Sequence, residues 1–402
     1  MMMTTAHPSD IGPARDDAEL AALFDILSRV FNFPRAYADK YCERLGREHF
    51  RVLRAGGRVA GGLAQLPMAQ FYGGRSVPMT GIAVVGVAPD VRSRGGATAL
   101  MRASLEEMHA AGVALSVLYP ATWPLYRRVG YELAGSRYQV KLPLRRFHLR
   151  ERGHEIRAIG PEDAADAANI EALYREVARQ RNGYVDRSPF LWTRVRAPRF
   201  EPGEGYLAVN PATGAAEGYI YYKREESDEA AYALEISDLV ALTPAAGLRL
   251  LTFLVDHRSM ADVAVYHGLP CDPFLRLLPE RGHTVKLFDH WMLRLVHVRA
   301  ALEDRGYPAG LATQVHLDVA DDVLPGNAGK LMLAVANGRG HVEAGGRGDV
   351  RVEVRGLAAL YSGHATPWDL RLTGQLAAAS EEPLVALSSV FAGPAAATPD
   401  FF

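Results

Sequence analysis

Residues 81–108 read GIAVVGVAPDVRSRGGATALMRASLEEM. An apolar, β-branched run ends at Pro89, and a short turn carries Arg92, Ser93, Arg94, Gly95 and Gly96. A run of good helix formers follows at once, with Leu100, Met101, Leu105 and Met108 on one stripe. The order strand, glycine turn, helix is therefore predicted. VALSVLYP after Gly112 supplies the next buried strand, which makes a βαβ-like crossover between two neighbouring parallel strands. The turn carries chemistry. The first N–H groups of a helix have no intrahelical acceptor and the helix dipole favours an anion, so this turn is suited to phosphate. Glycine lets the backbone approach without a Cβ in the way, and two arginines add positive charge. The plainer alternative is a strand-to-helix turn that merely contains glycine. A dinucleotide or P-loop fingerprint is disfavoured, because no GxGxxG lies between strand and helix and no Gly-Lys-Ser/Thr follows the turn.

Upstream, Leu20, Leu23, Phe24 and Leu27 recur at helical spacing. The pairs Gly56-Gly57 and Gly73-Gly74 separate short strand-like runs and predict hairpin turns in an antiparallel meander. Residues 141–160 read as a charged connector. From 161 to 290 the same kinds of element recur in the same order: a helix from EDAADAANIEALYREVARQR, strands at YLAVN, GYIYYKRE and AYALEISDLVAL, then the helix AAGLRLLTFLVDH. This is a repeat of elements without sequence identity, read as a degenerate second copy. From about 293 onward, short strands with glycine breaks and the helical patterns LAALYSG and EPLVALSSVFAG indicate a smaller α+β domain. The expected domains are 1–150, 151–292 and 293–402.

The 402 residues carry 45 Lys plus Arg against 46 Asp plus Glu, a balance that offers no global attraction to nucleic acid or anionic membrane. Two cysteines exclude a disulfide framework and a four-cysteine metal site and fit a reducing compartment, so cytoplasm is expected. The first twenty residues lack the basic and apolar regions of a leader, and no apolar run is long enough to span a bilayer. His109, His257, His267, His283, His290 and His364 have no metal-ligand spacing, and no metal is expected.

Arg92-x-x-Gly95-x-Ala97 after VVGVAPDV resembles the coenzyme A signature of the GCN5-related N-acetyltransferases (GNATs), and TWPLYRRVGYELAG, residues 122–135, resembles their downstream aromatic segment. Two such units followed by a sterol-carrier-protein-like α+β domain resemble the Eis (enhanced intracellular survival) family of aminoglycoside acetyltransferases along the whole chain. The resemblance implies a mixed α/β fold: tandem GNAT domains, each a mixed sheet flanked by helices, and a third α+β domain. It implies acetyl-CoA as cosubstrate, held by the backbone of Val85, Gly86 and Val87 and by the turn Arg92, Ser93, Arg94, Gly95, Gly96, Ala97 and Thr98, with Ala121 and Thr122 nearby. The matching turn of the second copy, LTPAAGLRLL, keeps one glycine, Gly247, and has no preceding arginine, so one coenzyme site per chain is expected. Relatives of the third domain bind lipids, but no residue in 293–402 singles out a lipid cavity, and a structural role is the expectation there.

Acyl transfer from a thioester needs a neutral amine nucleophile and benefits from a proton donor to the leaving thiolate. By the resemblance Tyr126 is that general acid, and a phenol with an ordinary pKa of about 10 is a reasonable donor; a core aromatic with its hydroxyl bonded is the plainer alternative. The resemblance also makes the main-chain carboxylate of the last residue, Phe402, the general base. Its ordinary pKa of roughly 3.3–3.7 is low for that task, and burial beside apolar rings would raise it. Adjacent phenylalanines at a chain end predict a docked terminus in any case. Asp25, with Phe24, Phe31 and Phe33 nearby, could face an acceptor pocket, since a polycation favours carboxylates and ring faces; a solvated carboxylate is the alternative. Ala83-Val84 and Phe401 stand where family members place an aromatic residue and an acid, which makes the pocket less suited to polycations. The expected acceptor is a small-molecule polyamine such as an aminoglycoside. A protein-lysine acetyltransferase and a non-catalytic coenzyme- or lipid-sensing protein are the competing readings. No nucleic-acid or membrane partner is expected, and the family implies a homo-oligomer, a hexamer.

Overall fold

The computed structural model describes residues 10–160 and 164–402. The first nine residues, on which the expected absence of a leader partly rests, and Glu162 and Asp163 at the expected start of the second-copy helix lie outside the described residues. The chain forms two compact units, one of residues through 134, 291–394 and 402, the other of 135–290 and 395–401.

In the first unit come β1 (Asp10–Pro13), α1 (Asp17–Phe31), α2 (Arg35–Leu45), β2 (Phe50–Ala55), β3 (Arg58–Tyr72), β4 (Arg75–Val87), α3 (Gly96–Ala110), β5 (Leu115–Leu118), α4 (Trp123–Arg127) and the start of β6 (Glu132–Pro143). Strands β1 to β4 form an antiparallel meander. Its two hairpin turns sit at the predicted glycine pairs, with φ of +60° and +73° at Gly56-Gly57 and +56° and +85° at Gly73-Gly74. Two successive left-handed residues match the twist of the flanking strands, and glycine adopts them without strain. Asp16 caps α1 by accepting from the Glu19 amide, and the helix buries Leu20, Leu23, Phe24, Ile26 and Leu27. Helix α3 buries Leu100, Met101, Leu105 and Met108, the predicted stripe, and carries the chain from β4 to its parallel neighbour β5.

The second unit contains the rest of β6, then β7 (Glu155–Ala158), α5 (Ala164–Ala178), β8 (Val185–Asp186), α6 (Pro189–Arg196), β9 (Glu204–Val209), β10 (Ala216–Glu225), β11 (Tyr232–Ala241), α7 (Pro244–Asp256), β12 (Ala261–Gly268) and β13 (Thr284–Leu295) as far as His290. Its strand order is β6-β12-β11-β10-β9-β7, with β11 and β12 parallel. Residues 141–160 are not the continuous connector expected. Strand β6 runs on to Pro143, and Glu155–Ala158 pairs with β9 as the last strand of this order. Largely exposed edge strands take charged side chains on both sides, which hides them among connector-like residues.

The first unit resumes with α8 (Val298–Asp304), β14 (Thr313–Ala320), β15 (Gly329–Ala336), β16 (Arg339–Ala344), β17 (Val350–Glu353), α9 (Val354–Ser362), α10 (Pro367–Leu372), β18 (Leu376–Ala378) and α11 (Glu382–Val390). The five strands order as β16-β15-β14-β17-β18. Within this unit the α+β part is joined to the first fold by buried polar contacts. Arg294, fully buried, donates to both carboxylate oxygens of Asp321 at 2.8 and 2.6 Å and to the Val129 carbonyl at 3.1 Å. No helix among the described residues is long and apolar enough to cross a membrane.

Candidate active site

The pairing of β4 with β5 covers only Met79–Ile82 against Leu115–Leu118, after which the two strands part. On its other side β4 is bulged: Ala64 faces Ala83 while Gly62 faces Gly86, and within the bulge Val84 sits at φ +47°. A left-handed β-branched residue is strained and holds only where its surroundings impose it. This geometry turns Val85, Gly86 and Val87 out of the ladder with β5. Gly86 is needed there for packing, since a Cβ would lie 2.6 Å from Leu27 Cδ2 of α1.

The turn that follows is open. Arg92, Ser93, Arg94 and Gly95 are exposed, and Gly96, Ala97 and Thr98 are half-buried. Ser93 and Gly95 both have positive φ, +62° and +83°, and α3 begins on Gly95 without a side-chain cap. The first backbone bond at this end runs from the Ala99 amide to the Gly95 carbonyl at 2.9 Å. The amides before it point into an uncapped helix start, and nothing lies within 4 Å of a Cβ built on Gly95. Arg92 Nε donates to the Val87 carbonyl at 3.2 Å, which ties one arginine to the end of the splayed strand. A pyrophosphate fits this set of donors and charges.

Tyr126 lies on α4, just beyond exposed Ala121 and Thr122. It is 5% exposed and belongs to a core cluster with Ile82, Leu118, Leu100 and Met101, against which Val85 and Val87 pack. Its hydroxyl has no hydrogen-bond partner among the described residues, and burial alone pushes the phenol up to about 12. A core tyrosine is expected to satisfy its hydroxyl. A protonated phenol left free beside the parted strands is what a proton donor needs.

Phe402 is buried and belongs to the first unit. Its ring meets Tyr119 edge to face at 5.7 Å between centroids, and a Cβ on Gly81 would lie 2.8 Å from the ring. Gly81 pairs with Val117, and Tyr119 follows the last residue of β5, so the final residue stands where β4 and β5 part. In the second unit the preceding tail is tied down residue by residue. The Ala397 amide donates to Asn182, Arg137 Nε donates to the Pro399 carbonyl, and Asp400 accepts from Arg187 Nε at 2.9 Å and the Tyr174 hydroxyl at 3.1 Å. Burial pushes the Asp400 carboxyl up while Arg187 opposes the shift.

The candidate acceptor residues differ in exposure and in partners. Asp25 is exposed and ion-paired to Arg35, so its charge is already answered. Phe24 packs on Phe50 in the core, while Phe31 and Phe33 stack at 6.1 Å with Phe31 exposed. Ala83 is buried, Val84 is the strained bulge residue, and Phe401 is 42% exposed with its ring over the Arg137 guanidinium. Sequence reasoning missed Tyr119, Gly81, Glu132 and the Arg187–Asp400 pair. A Pro-Asp just before the last residues was the one local signal that the tail is anchored by a side chain.

The second unit treats the matching turn differently. Thr243 caps α7 by accepting from the Ala246 amide, donates to Glu217 at 2.7 Å, and is followed by Pro244. A Cβ on Gly247 would meet Leu277 at 2.8 Å, so apolar side chains crowd that helix start. Beyond the short pairing of β11 with β12, the parting holds a cavity of about 160 Å³ lined in part by Asp238, Tyr184, Tyr266 and Pro399. Space on the order of 150 Å³ holds a benzene-sized molecule, far short of a coenzyme.

Residues 12–134 and 183–295 each match an acetyltransferase (GNAT) domain family, and residues 298–399 match a sterol carrier protein domain family. The chain is similar to a GCN5-related N-acetyltransferase from Anabaena variabilis, with 37% identity, a TM-score of 0.92, and coverage of 98% of this chain and 100% of that one. It is similar to Eis1 from Mycobacterium abscessus at 26% identity and a TM-score of 0.79, covering 98% and 100% of the two chains. An N-acetyltransferase of Streptomyces avermitilis, itself uncharacterized, is 29% identical over 339 residues, 79% of this chain and 80% of that one.

Proposed function

Since the chain belongs to the GCN5-related N-acetyltransferases and has the tandem-domain, sterol-carrier-ended build of the Eis type, we propose that it transfers acetyl from acetyl-CoA to amines of a polyamine-type acceptor such as an aminoglycoside. The observation that carries this reading is the gathering, within one unit, of an uncapped arginine-flanked helix start, a buried phenol with a free hydroxyl and the chain's own terminal residue. The name of the structural neighbour Eis1 supports the Eis-type acceptor class.

In this mechanism the turn from Arg92 to Thr98 binds the coenzyme's pyrophosphate, and the backbone of Val85, Gly86 and Val87 pairs with its amide-bearing arm. The Phe402 carboxylate takes a proton from the acceptor ammonium. The neutral amine nitrogen then attacks the thioester carbonyl and the new C–N bond forms; as the C–S bond breaks, Tyr126 gives its proton to the departing sulfur and the nitrogen gives up its second proton to solvent, leaving the neutral amide. Solvent exchange restores both groups. Because the phenol is pushed up to about 12, it stays protonated across the working pH range.

A thiol-release assay with acetyl-CoA against aminoglycosides, diamines and lysine peptides tests the proposal. Turnover is expected on polyamines. Tyr126→Phe is expected to lower kcat by on the order of 100-fold. Extending the chain beyond Phe402 is expected to abolish turnover while acetyl-CoA still binds; unchanged kinetics in the extended protein rules out the terminal base. The pairing of Asp25 with Arg35 and the exposed Phe401 favour a second reading, protein-lysine acetylation, because they remove acids from the acceptor side. Turnover on lysine peptides alone would select it.

A further inference from the structure

Helix α4 has five residues, too few to hold its shape by intrahelical bonds alone. Tyr126 on it is pinned at the backbone, where its carbonyl accepts from the amides of Val129 and Tyr131, each at 3.1 Å. The next residue, Arg127, is pinned by its side chain. Its guanidinium lies over the Trp123 ring and donates from Nε at 3.0 Å and Nη2 at 2.6 Å to Glu132 Oε1, which also accepts from the Leu133 amide. The other oxygen of Glu132 is held from the sterol-carrier-like domain: Arg355 donates from Nε at 3.1 Å and Nη2 at 2.6 Å, and Gln375 Nε2 donates at 3.2 Å. The carboxylate is 4% exposed and its acceptor sites are filled. Burial pushes the Glu132 carboxyl up, and the hydrogen bonds from Arg127 and Arg355 outweigh that and hold it below the usual value.

We infer that Glu132 is a positioning residue for Tyr126, and that the third domain acts in acetyl transfer by holding Glu132 through Arg355 and Gln375. This rests on the reading of Tyr126 as general acid. A free phenolic hydroxyl must point at the leaving sulfur without a hydrogen bond of its own to aim it, so its direction is set by the frame of α4. Beyond its two backbone bonds that frame is fastened through Arg127 to one buried carboxylate, whose other oxygen is held by residues 355 and 375. Breaking a buried charged network by removing one partner leaves the others unanswered, and the freed helix end shifts. A displacement of about 1 Å at a reacting group is enough to cost on the order of 100-fold in rate.

The test is a double-mutant cycle in the full-length protein, with Arg355→Met and Tyr126→Phe alone and together, kcat and the KM for acetyl-CoA being measured for each. Arg355→Met is expected to lower kcat about tenfold and leave the KM for acetyl-CoA within about twofold. In the Tyr126→Phe background it is expected to cost less than about twofold more, since there is no proton donor left to misplace. Arg355→Lys should recover part of kcat, and Gln375→Ala, which removes one bond, should show a smaller drop of the same kind. If the two losses multiply, or if Arg355→Met keeps wild-type kcat, the positioning role is overturned. If Tyr126→Phe alone keeps full turnover, the general-acid reading fails first and is identified by that single variant. Thermal melts separate loss of folded protein from loss of rate, and Gln375→Ala keeps the question answerable should Arg355→Met fold poorly.

Discussion

Helices α3 and α7 occupy the same place in two copies of one fold, after the central strand and before its parallel neighbour, yet their first turns are opposites. At α3 the cap is Gly95 in a left-handed conformation, no side chain satisfies the helix amides, and Arg92 and Arg94 stand in the turn. At α7 a threonine caps the helix, a proline removes one donor, and an acid, Glu217, is bonded to the cap itself. The fold supplies both helix starts with the same dipole. What separates an open helix start, suited to an anion, from a closed structural turn is whether the chain's own side chains have already used the donors.

Giving the first turn the character of the second breaks the comparison. Gly95→Asp installs a capping carboxylate where the pyrophosphate is proposed to bind and forces a non-glycine residue into positive φ. Acetyl-CoA affinity, read by calorimetry, is expected to fall by on the order of 100-fold, from like-charge repulsion at the helix end and the lost donors. Retained affinity would mean that the coenzyme sits elsewhere. Gly81→Ala acts beneath the terminal residue. Its Cβ would overlap the Phe402 ring, so kcat should drop about tenfold while the coenzyme still binds, and equal loss in both would place Gly81 in the binding step instead.

The smallest effect belongs to α7. Thr243→Ala should leave the kinetics untouched and lower stability by about 1 kcal/mol, the usual worth of a cap. Glu217 sharpens this through pH. Hydrogen bonds from Asn210, Thr243 and His154 hold its carboxyl down to about 2 from the ordinary 4.5. Because the folded value is the lower one, its contribution is complete above about pH 4.5 and disappears as pH falls towards 2. The part of the difference between wild type and Thr243→Ala that runs through Glu217 should therefore shrink over that window in acid melts. A constant difference would assign the whole effect to the cap.

Much of this contrast is legible in the chain. The turn 92–97, the glycine pairs of the hairpins, the stripe of α3 and the recurrence of the same element order depend on neighbours a few positions apart, and local geometry translates them directly. The absence of an arginine before Gly247 marks the second turn as different, but Thr243 as its cap and Leu277 as its cover do not announce themselves. Asp25 is a different case. As a candidate in an aromatic-rich segment it invites a functional role, and the packing of α1 beside α2 pairs it with Arg35, a partner that no spacing in the sequence announces.

The sequence by itself determined the tandem order of elements, the open glycine turn before α3 and the burial of an aromatic side chain at Phe402, because each depends on residue type and short spacing. The tertiary structure decided the rest. Val84 is left-handed because the pairing of two strands demands a bulge, Tyr126 keeps a free hydroxyl because its surroundings are apolar, and Glu132 meets Arg355 across 223 positions of chain. No local pattern encodes which buried charge will find which, since every arginine in the chain carries the same fork and only the folded backbone brings one of them within reach.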